Sequence, residues 1–268
     1  MTTAAILLAA GQGTRMRSAL PKTLHPIAGR PMLRHLLAAV EQAFDRAVVV
    51  VGPEMPALEA AAAPHPTVVQ RERLGTGHAA LQAAPLLEDL AGDVAVLYAD
   101  NALIGAGTMR RLQAARRTAG LALLAMRPAD PAKYGRVLTD ATGAVTRIVE
   151  WADASEEMRQ VGLCNAGVVC APAADLFRWL RMVRNDNRQG EYYLTDIVAI
   201  AAAEGVRVEA VEAPESELRG INSRAELADA EAEVQRQLRR AAMDGGATLI
   251  QPDSVVFSHD TRLGQDVT

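Results

Sequence analysis

The chain has 268 residues, half of them hydrophobic but only 3% aromatic, with 28 Lys and Arg against 32 Asp and Glu. A net charge of -4 supplies no basic field of the kind that dominates nucleic-acid affinity, so a nucleic-acid partner is disfavoured. Cys164 and Cys170 form no CxxC pair and have no His and Cys cluster at zinc spacing around them, so they read as buried free thiols of a reducing cytoplasm.

The opening run TAAILLAAG has no basic leader and no small-residue cleavage site, and it is too short to cross a bilayer. Secretion and membrane insertion are disfavoured, and a cytoplasmic location is expected. Ala4 to Ala10 is predicted to be a buried strand, followed by a Gly-rich, basic loop from Gly11 to Lys22. A helix begins near Pro31, with Leu33, Leu36, Leu37, Val40 and Phe44 at the 3.6-residue period. The strand AVVVVG (Ala47 to Gly52) follows. Val94 to Tyr98 is another apolar strand, Gly107 to Thr118 a helix, and Leu121 to Met126 a further strand. This alternation predicts an α/β, doubly wound sheet, whose ligands bind at the carboxyl ends of the strands, after Ala10 and Tyr98.

At Gly135 the pattern changes: GRVLTD and AVTRIVE flank the turn DATG, which predicts a hairpin and a small, mostly antiparallel insertion to about Ala171. Helices are predicted over Ala173 to Val183 and Tyr193 to Glu204, then a strand from Val206 to Val211. A long charged helix, Arg224 to Met243, leads out of the domain. In the last segment, GATLIQPDSVVFSHDTRLGQDVT, short apolar pulses alternate with turn formers in the manner of the first coils of a left-handed β-helix. The expected organisation is a nucleotidyltransferase domain over 1–222, a linker helix over 223–245 and a truncated β-helix start over 246–268.

Three clusters carry chemistry. LAAGQGTRM (Leu8 to Met16) and the following LPKTLHPIAGRPML lack the Gly-Lys-Ser/Thr of a P-loop and the third glycine of a dinucleotide fingerprint. A lone glycine pair is more often a surface turn. Here the glycines end a strand and bring Arg15 and Lys22 with them, which points to triphosphate binding. In VLYAD, Asp100 follows a strand end, where a carboxylate can hold a metal against phosphates. By position alone, caps are equally good readings, of the next turn for Asp100 and of the nearby helix for Asn222. Gln70 offers an amide that can pair with part of a uracil edge, or simply face solvent.

The first cluster resembles the sugar-nucleotide pyrophosphorylases, and LHPIAGRPML resembles their GlmU branch. The remaining motifs of that branch follow in order: QRERLGTGHA, VLYAD, KYGRV, RIVEWADA, CNAG, NRQGEYYLTDI and GINSR. The resemblance implies a Rossmann-like, GT-A-like nucleotidyltransferase domain. Its implied reaction joins UTP and N-acetylglucosamine 1-phosphate into UDP-N-acetylglucosamine and pyrophosphate, for cell-envelope precursors. It places Leu8, Ala9, Ala10, Gly11, Gln70, Gly75 and Thr76 around the uridine, and Arg15 and Lys22 at the phosphates as the catalytic cations. Gly135, Glu150, Asn165 and Thr195 fall around the amino sugar, Tyr98 and Asn222 are further substrate contacts, and Asp100 and Asn222 become the ligands of Mg²⁺. It also implies a homotrimer for a full-length protein; this chain, lacking the acetyltransferase domain, is expected neither to acetylate nor to trimerise through it. Two positions depart from the family: Asn101-Ala102, where a small residue and Pro are usual, and Trp151-Ala152, where an acidic residue and Lys are usual. The rival readings are another sugar or nucleotide in the same reaction, and a non-catalytic nucleotide-sugar-binding module. All of this requires Gly11 and Asn222 to share one cleft.

Overall fold

The computed structural model describes residues 2–131 and 134–268. Lys133 of the KYGRV motif therefore lies outside the described residues. The elements run β1 (Thr2–Leu8), β2 (Pro26–Ile27), β3 (Arg30–Pro31), α1 (Met32–Val40), β4 (Arg46–Val51), α2 (Pro56–Ala62), β5 (Thr67–Val69), α3 (Thr76–Leu81) and α4 (Ala84–Leu87). They continue with β6 (Gly92–Tyr98), α5 (Ala106–Thr118), β7 (Leu121–Met126), β8 (Arg136–Thr139), β9 (Val145–Val149), α6 (Glu156–Arg159) and β10 (Cys164–Pro172). The last are α7 (Ala173–Met182), α8 (Asp196–Ala203), β11 (Val208–Glu212), α9 (Glu215–Leu218) and α10 (Arg224–Asp244).

The main sheet has the order β11-β7-β10-β6-β1-β4-β5, with β8 and β9 attached through β10. Pairs β1 with β4, β1 with β6, β4 with β5 and β7 with β11 are parallel. Such strands are buried on both faces, which is why they read as continuous apolar runs. Successive residues supply opposite cores. Ala4, Ile6, Val48, Val50, Val94 and Val96 pack with Phe177, Trp179, Ile197 and Val198 on one face. Ala5, Leu7, Val49, Val51, Ala95 and Leu97 pack with Leu33, Leu36, Leu37, Met109 and Leu112 on the other. The predicted helical stripe Leu33, Leu36, Leu37 and Val40 is buried as the period requires.

The expected insertion is smaller than its sequence texture implies. Its hairpin β8–β9 forms around the DATG turn, with Asp140 Oδ1 accepting from the amides of Thr142 and Ala144. Cys164–Pro172, however, is a central strand of the main sheet, antiparallel to both β6 and β7. The excursion through β8 and β9 returns the chain to the sheet from the opposite end, so β10 runs against its neighbours. Its register with β7 shifts between Asn165 and Val169. A bulge of this kind re-aims side chains, and it lies beside the cavity described below.

Residues 246–268 hold a 3-10 turn at Pro252–Ser254 and no strand among the described residues. The β-helical coil expected there is not shown. The segment instead folds back on α10, where Gln235 donates to the Phe257 carbonyl and accepts from the Phe257 amide.

Candidate functional site

The carboxyl ends of β1, β4 and β6 meet at one edge of the sheet. Ala9 N–H continues the ladder to Val50 O, and Ala99 N–H to Leu8 O, so the chain reaches Ala10, Gly11 and Asp100 in register. A cavity of about 340 Å³ opens there, lined by Leu8, Ala9, Ala10, Gly11, Lys22, Gln70, Gly75, Thr76 and Tyr98 among others. A second cavity of about 330 Å³ adjoins it, lined by Gly135, Glu150, Asn165, Tyr193 and Asn222 among others. Thr76, Tyr98, Asp100 and Glu191 line both. Each is of the size that takes a small ligand.

Residues far apart in the chain meet where the cavities join. The Ile221 amide donates to the Asp100 carbonyl at 3.0 Å, which brings the GINSR segment against the end of β6. Lys22 Nζ then donates to Asp100 Oδ2 at 2.5 Å and to Asn222 Oδ1 at 2.7 Å. Gly11 and Asn222 thus border adjoining parts of one cleft. Ser223, not Asn222, caps α10: its hydroxyl accepts from the Glu226 amide while Glu226 accepts from Ser223, a complete capping box. That box also fixes the Asn222 amide on Glu226 Oε2 at 2.6 Å and leaves the Asn222 side chain free to face Lys22. Two residues on, Arg224 Nε donates to Met16 O at 3.2 Å, tying the start of α10 to the glycine loop.

Around the first cavity, Gln70 is buried and its Nε2 donates to Gly75 O and faces His78 Nδ1, both at 3.1 Å. The side-chain nitrogen is thus turned toward the protein, and Oε1 is the atom left to face a ligand. Segment 74–77 is fastened to 192–194 through Tyr192 N–H to Leu74 O, Gly77 N–H to Tyr192 O and Leu194 N–H to Thr76 Oγ1. Gly75 sits at φ +113°, and a Cβ there would lie 2.6 Å from Tyr192 O. Gly75→Ala therefore combines strain of about 1–3 kcal/mol with a backbone clash. It is expected to lower the melting temperature and cut catalytic efficiency at least tenfold, as thermal melts and steady-state rates would show.

Around the second cavity, Thr195 Oγ1 donates to Glu150 Oε1 at 3.1 Å, and the Asn165 amide donates to Gly135 O at 2.8 Å. Asn165 Oδ1 accepts from the Gly167 amide at 3.0 Å inside the β10 bulge. Gly167, at φ +75°, lets the Tyr98 ring lie where a Cβ would stand 2.3 Å from Cε2. Burial raises the Glu150 carboxyl above its ordinary 4.5, partly offset by the Thr195 bond, with Asp196 and Asp153 adding to the rise. A raised folded pKa means that Glu150 favours the fold below the unfolded value and loses that contribution as pH climbs through the folded one. Glu150→Gln should thus melt higher than the parent at pH 8, the gap closing toward pH 4.5. A parent that gains on the variant as pH rises would contradict this.

Arg15 is placed differently from Lys22. It lies exposed on the 3-10 turn Thr14–Met16, outside the residues lining either cavity. Among the described residues no three His, Cys, Asp or Glu side chains gather as a metal centre. One carboxylate and one amide oxygen, already converging on the Lys22 ammonium, are nevertheless a donor set suited to a divalent ion that keeps water and phosphate as its other ligands.

The model of MobA-like NTP transferase domains matches residues 5–189. The chain belongs to this family. Curated relatives of this NTP transferase domain named bifunctional protein GlmU include one from Gluconacetobacter diazotrophicus, 63% identical over 97% of the chain and 57% of the relative. One from Gluconobacter oxydans is 58% identical over 99% of the chain and 59% of the relative. The chain thus spans about three fifths of the length of the curated relatives it matches. A solved UDP-glucose pyrophosphorylase complexed with UDP-glucose shares the fold, with a TM-score of 0.72 at 19% identity, covering 88% of this chain and all of that one.

Within this NTP transferase domain the two departures from the GlmU pattern fall in different places. Asn101 is buried and lines the second cavity, its Nδ2 donating to Leu218 O. Trp151 lines neither cavity; the guanidinium groups of Arg159 and Arg136 lie over its ring, 4.4 and 5.0 Å from the centroid. Sequence reasoning missed Glu191 and Arg73 as cavity residues. Tyr193, expected to pack at a helix start with its polar tip at the pocket rim, does line the second cavity, but α8 begins at Asp196 and the Tyr193 hydroxyl is buried without a hydrogen-bond partner among the described residues. Among the described residues no helix is long and apolar enough to cross a membrane.

Proposed function

We propose that this domain transfers the uridylyl group of UTP to N-acetylglucosamine 1-phosphate, forming UDP-N-acetylglucosamine and releasing pyrophosphate. The observation that carries the reading is the convergence of Lys22, Asp100 and Asn222 at the junction of two cavities of similar volume. A nucleotide in the first and a sugar phosphate in the second would bring their phosphates together at that junction. Family membership and relatives named GlmU support it.

The acceptor phosphate has a second pKa near ~6, by analogy with phosphorylated side chains, so its oxygen is already a nucleophile at neutral pH. No protein base is required. The chain must relieve repulsion between two anions, hold the oxygen in line with the α-phosphorus and stabilise the departing pyrophosphate. Lys22 lies at the junction and supplies fixed charge, and Arg15 would close over the phosphates from the adjacent turn. Gln70 Oε1 would accept from the uracil N3–H while backbone amides near Gly11 and Gly75 donate to its carbonyls. Glu150, Asn165 and Thr195 would hold the amino sugar, with the Gly135 backbone beside them. Nucleotidyltransferases of this kind are generally metal-dependent. Asp100 and Asn222 would hold Mg²⁺, which supplies charge neutralisation at the phosphates. A longer chain with the remaining length of the relatives would form the homotrimer.

A pyrophosphate-release assay across UTP, dTTP and CTP, with N-acetylglucosamine 1-phosphate or glucose 1-phosphate, with and without Mg²⁺, tests the reading. Fastest release is expected with UTP, the N-acetylated sugar and Mg²⁺. No release with any pair would leave a binding module instead.

A further inference from the structure

We propose that Arg73 is a nucleoside-recognition residue, its guanidinium donating to a carbonyl of the pyrimidine base. The inference rests on the nucleotide site proposed above. Two cations line the first cavity, Lys22 and Arg73. Lys22 is neutralised by Asp100, whereas Arg73 has no ion pair among the described residues. The Arg73 guanidinium is nevertheless fixed. Its Nε donates to Ala10 O at 2.9 Å, across 63 positions of sequence, and that carbonyl belongs to the loop entering Gly11. Its Nη2 lies over Gly52, where a Cβ would stand 2.7 Å away, so the position after β4 leaves room for the fork. One edge of the fork is thus spent on the protein, and the terminal nitrogens hold donors for a ligand.

Sheet order says which end of a nucleotide Arg73 meets. Asp100 follows β6, Ala10 and Gly11 follow β1, and Gly52 follows β4. β4 stands two strand positions from β6, roughly 10 Å at the usual strand spacing. With the phosphates at Lys22 and Asp100, an extended nucleotide directs its base toward the β4 and β5 side, where Gln70 and Arg73 lie. Gln70 turns its amide nitrogen onto Gly75 O and toward His78 Nδ1, which leaves its oxygen to face the base. Arg73 supplies a side-chain donor at that end.

Calorimetric titration of UTP and UMP into the parent protein and into Arg73→Gln and Arg73→Lys, with Mg²⁺ present, tests this without turnover. Arg73→Gln should weaken UTP and UMP by the same factor of about ten, the worth of one hydrogen bond to a charged group. The KM for the sugar phosphate should stay unchanged. Arg73→Lys should bind as poorly as the Gln variant, because an ammonium is a single point without the fork that reaches Ala10 from one edge and the base from another. Full rescue by Lys would mean that Arg73 only props the loop, and weakening of UTP without UMP would assign it to the phosphates; either overturns the proposal, as does unchanged binding by a folded Gln variant. A parent protein that binds neither nucleotide would instead remove the proposed function as well.

Discussion

Asp100→Ala and Arg15→Ala are each expected to turn over at least a hundredfold more slowly than the parent, as folded proteins assayed for pyrophosphate release. An electrostatic contact that strengthens in the transition state is commonly worth ~3–4 kcal/mol, and each ~1.4 kcal/mol is a factor of ten in rate. The two substitutions approach that figure by different routes. Asp100 is held in place, its carbonyl on Ile221 N–H and its carboxylate on Lys22, so its removal deletes a preorganised charge. Arg15 is exposed and partnerless among the described residues of the free protein, so its contribution requires the 3-10 turn to bring it onto bound phosphates. The expected signatures differ accordingly. Asp100→Ala should lose the response of turnover to added Mg²⁺, and Arg15→Ala should keep it. A folded Asp100→Ala protein at near-parental rates would withdraw Asp100 from the site, and the same result for Arg15 would leave it a surface arginine.

The sheet was legible where burial on both faces makes a strand a plain apolar run. Val94 to Tyr98 and Leu121 to Met126 appear as β6 and β7 within two residues of the sequence reading. Sheet membership was not legible. The antiparallel reading of Gly135 to about Ala171 holds for β8, β9 and β10, but nothing in CNAGVVCAP says that it is a central strand of the main sheet. The three residues of β5 are too few to show a period. Among the site residues, Asn222 read equally well as the cap of the nearby helix, and the box between Ser223 and Glu226 gives that role to Ser223. Arg71 and Arg73 are equally plausible surface charges in QRERLGTG, and the structure separates them by the long-range bond of Arg73 to Ala10 and its place in the first cavity. The departures Asn101 and Trp151 looked alike in sequence, yet only Asn101 reaches a cavity. Sugar discrimination is therefore better sought at Asn101 than at Trp151.

Lys22→Ala is expected to separate metal binding from catalysis, tightening the one and crippling the other. In the free protein the Lys22 ammonium occupies the two oxygens, Asp100 Oδ2 and Asn222 Oδ1, that a divalent cation would need. All three groups lie at the junction of the cavities, and the Lys22 and Asp100 side chains are only 15% and 14% exposed, so solvent screens their attraction incompletely. A metal arriving without nucleotide must displace that ammonium, forfeiting charge-assisted hydrogen bonds worth about 1.5–3 kcal/mol. A metal arriving with a triphosphate would meet no such penalty, because the ammonium would have phosphate oxygens to move onto. Removing the ammonium should strengthen Mn²⁺ binding in the absence of nucleotide about tenfold, as electron paramagnetic resonance of the free ion would report. Turnover with UTP should fall at least a hundredfold, because the charge that opposed repulsion between the two phosphate groups has gone. Unchanged Mn²⁺ affinity in a folded Lys22→Ala protein would show that the ammonium and the metal do not compete. Asp100 and Asn222 would then be holding the lysine for its own sake.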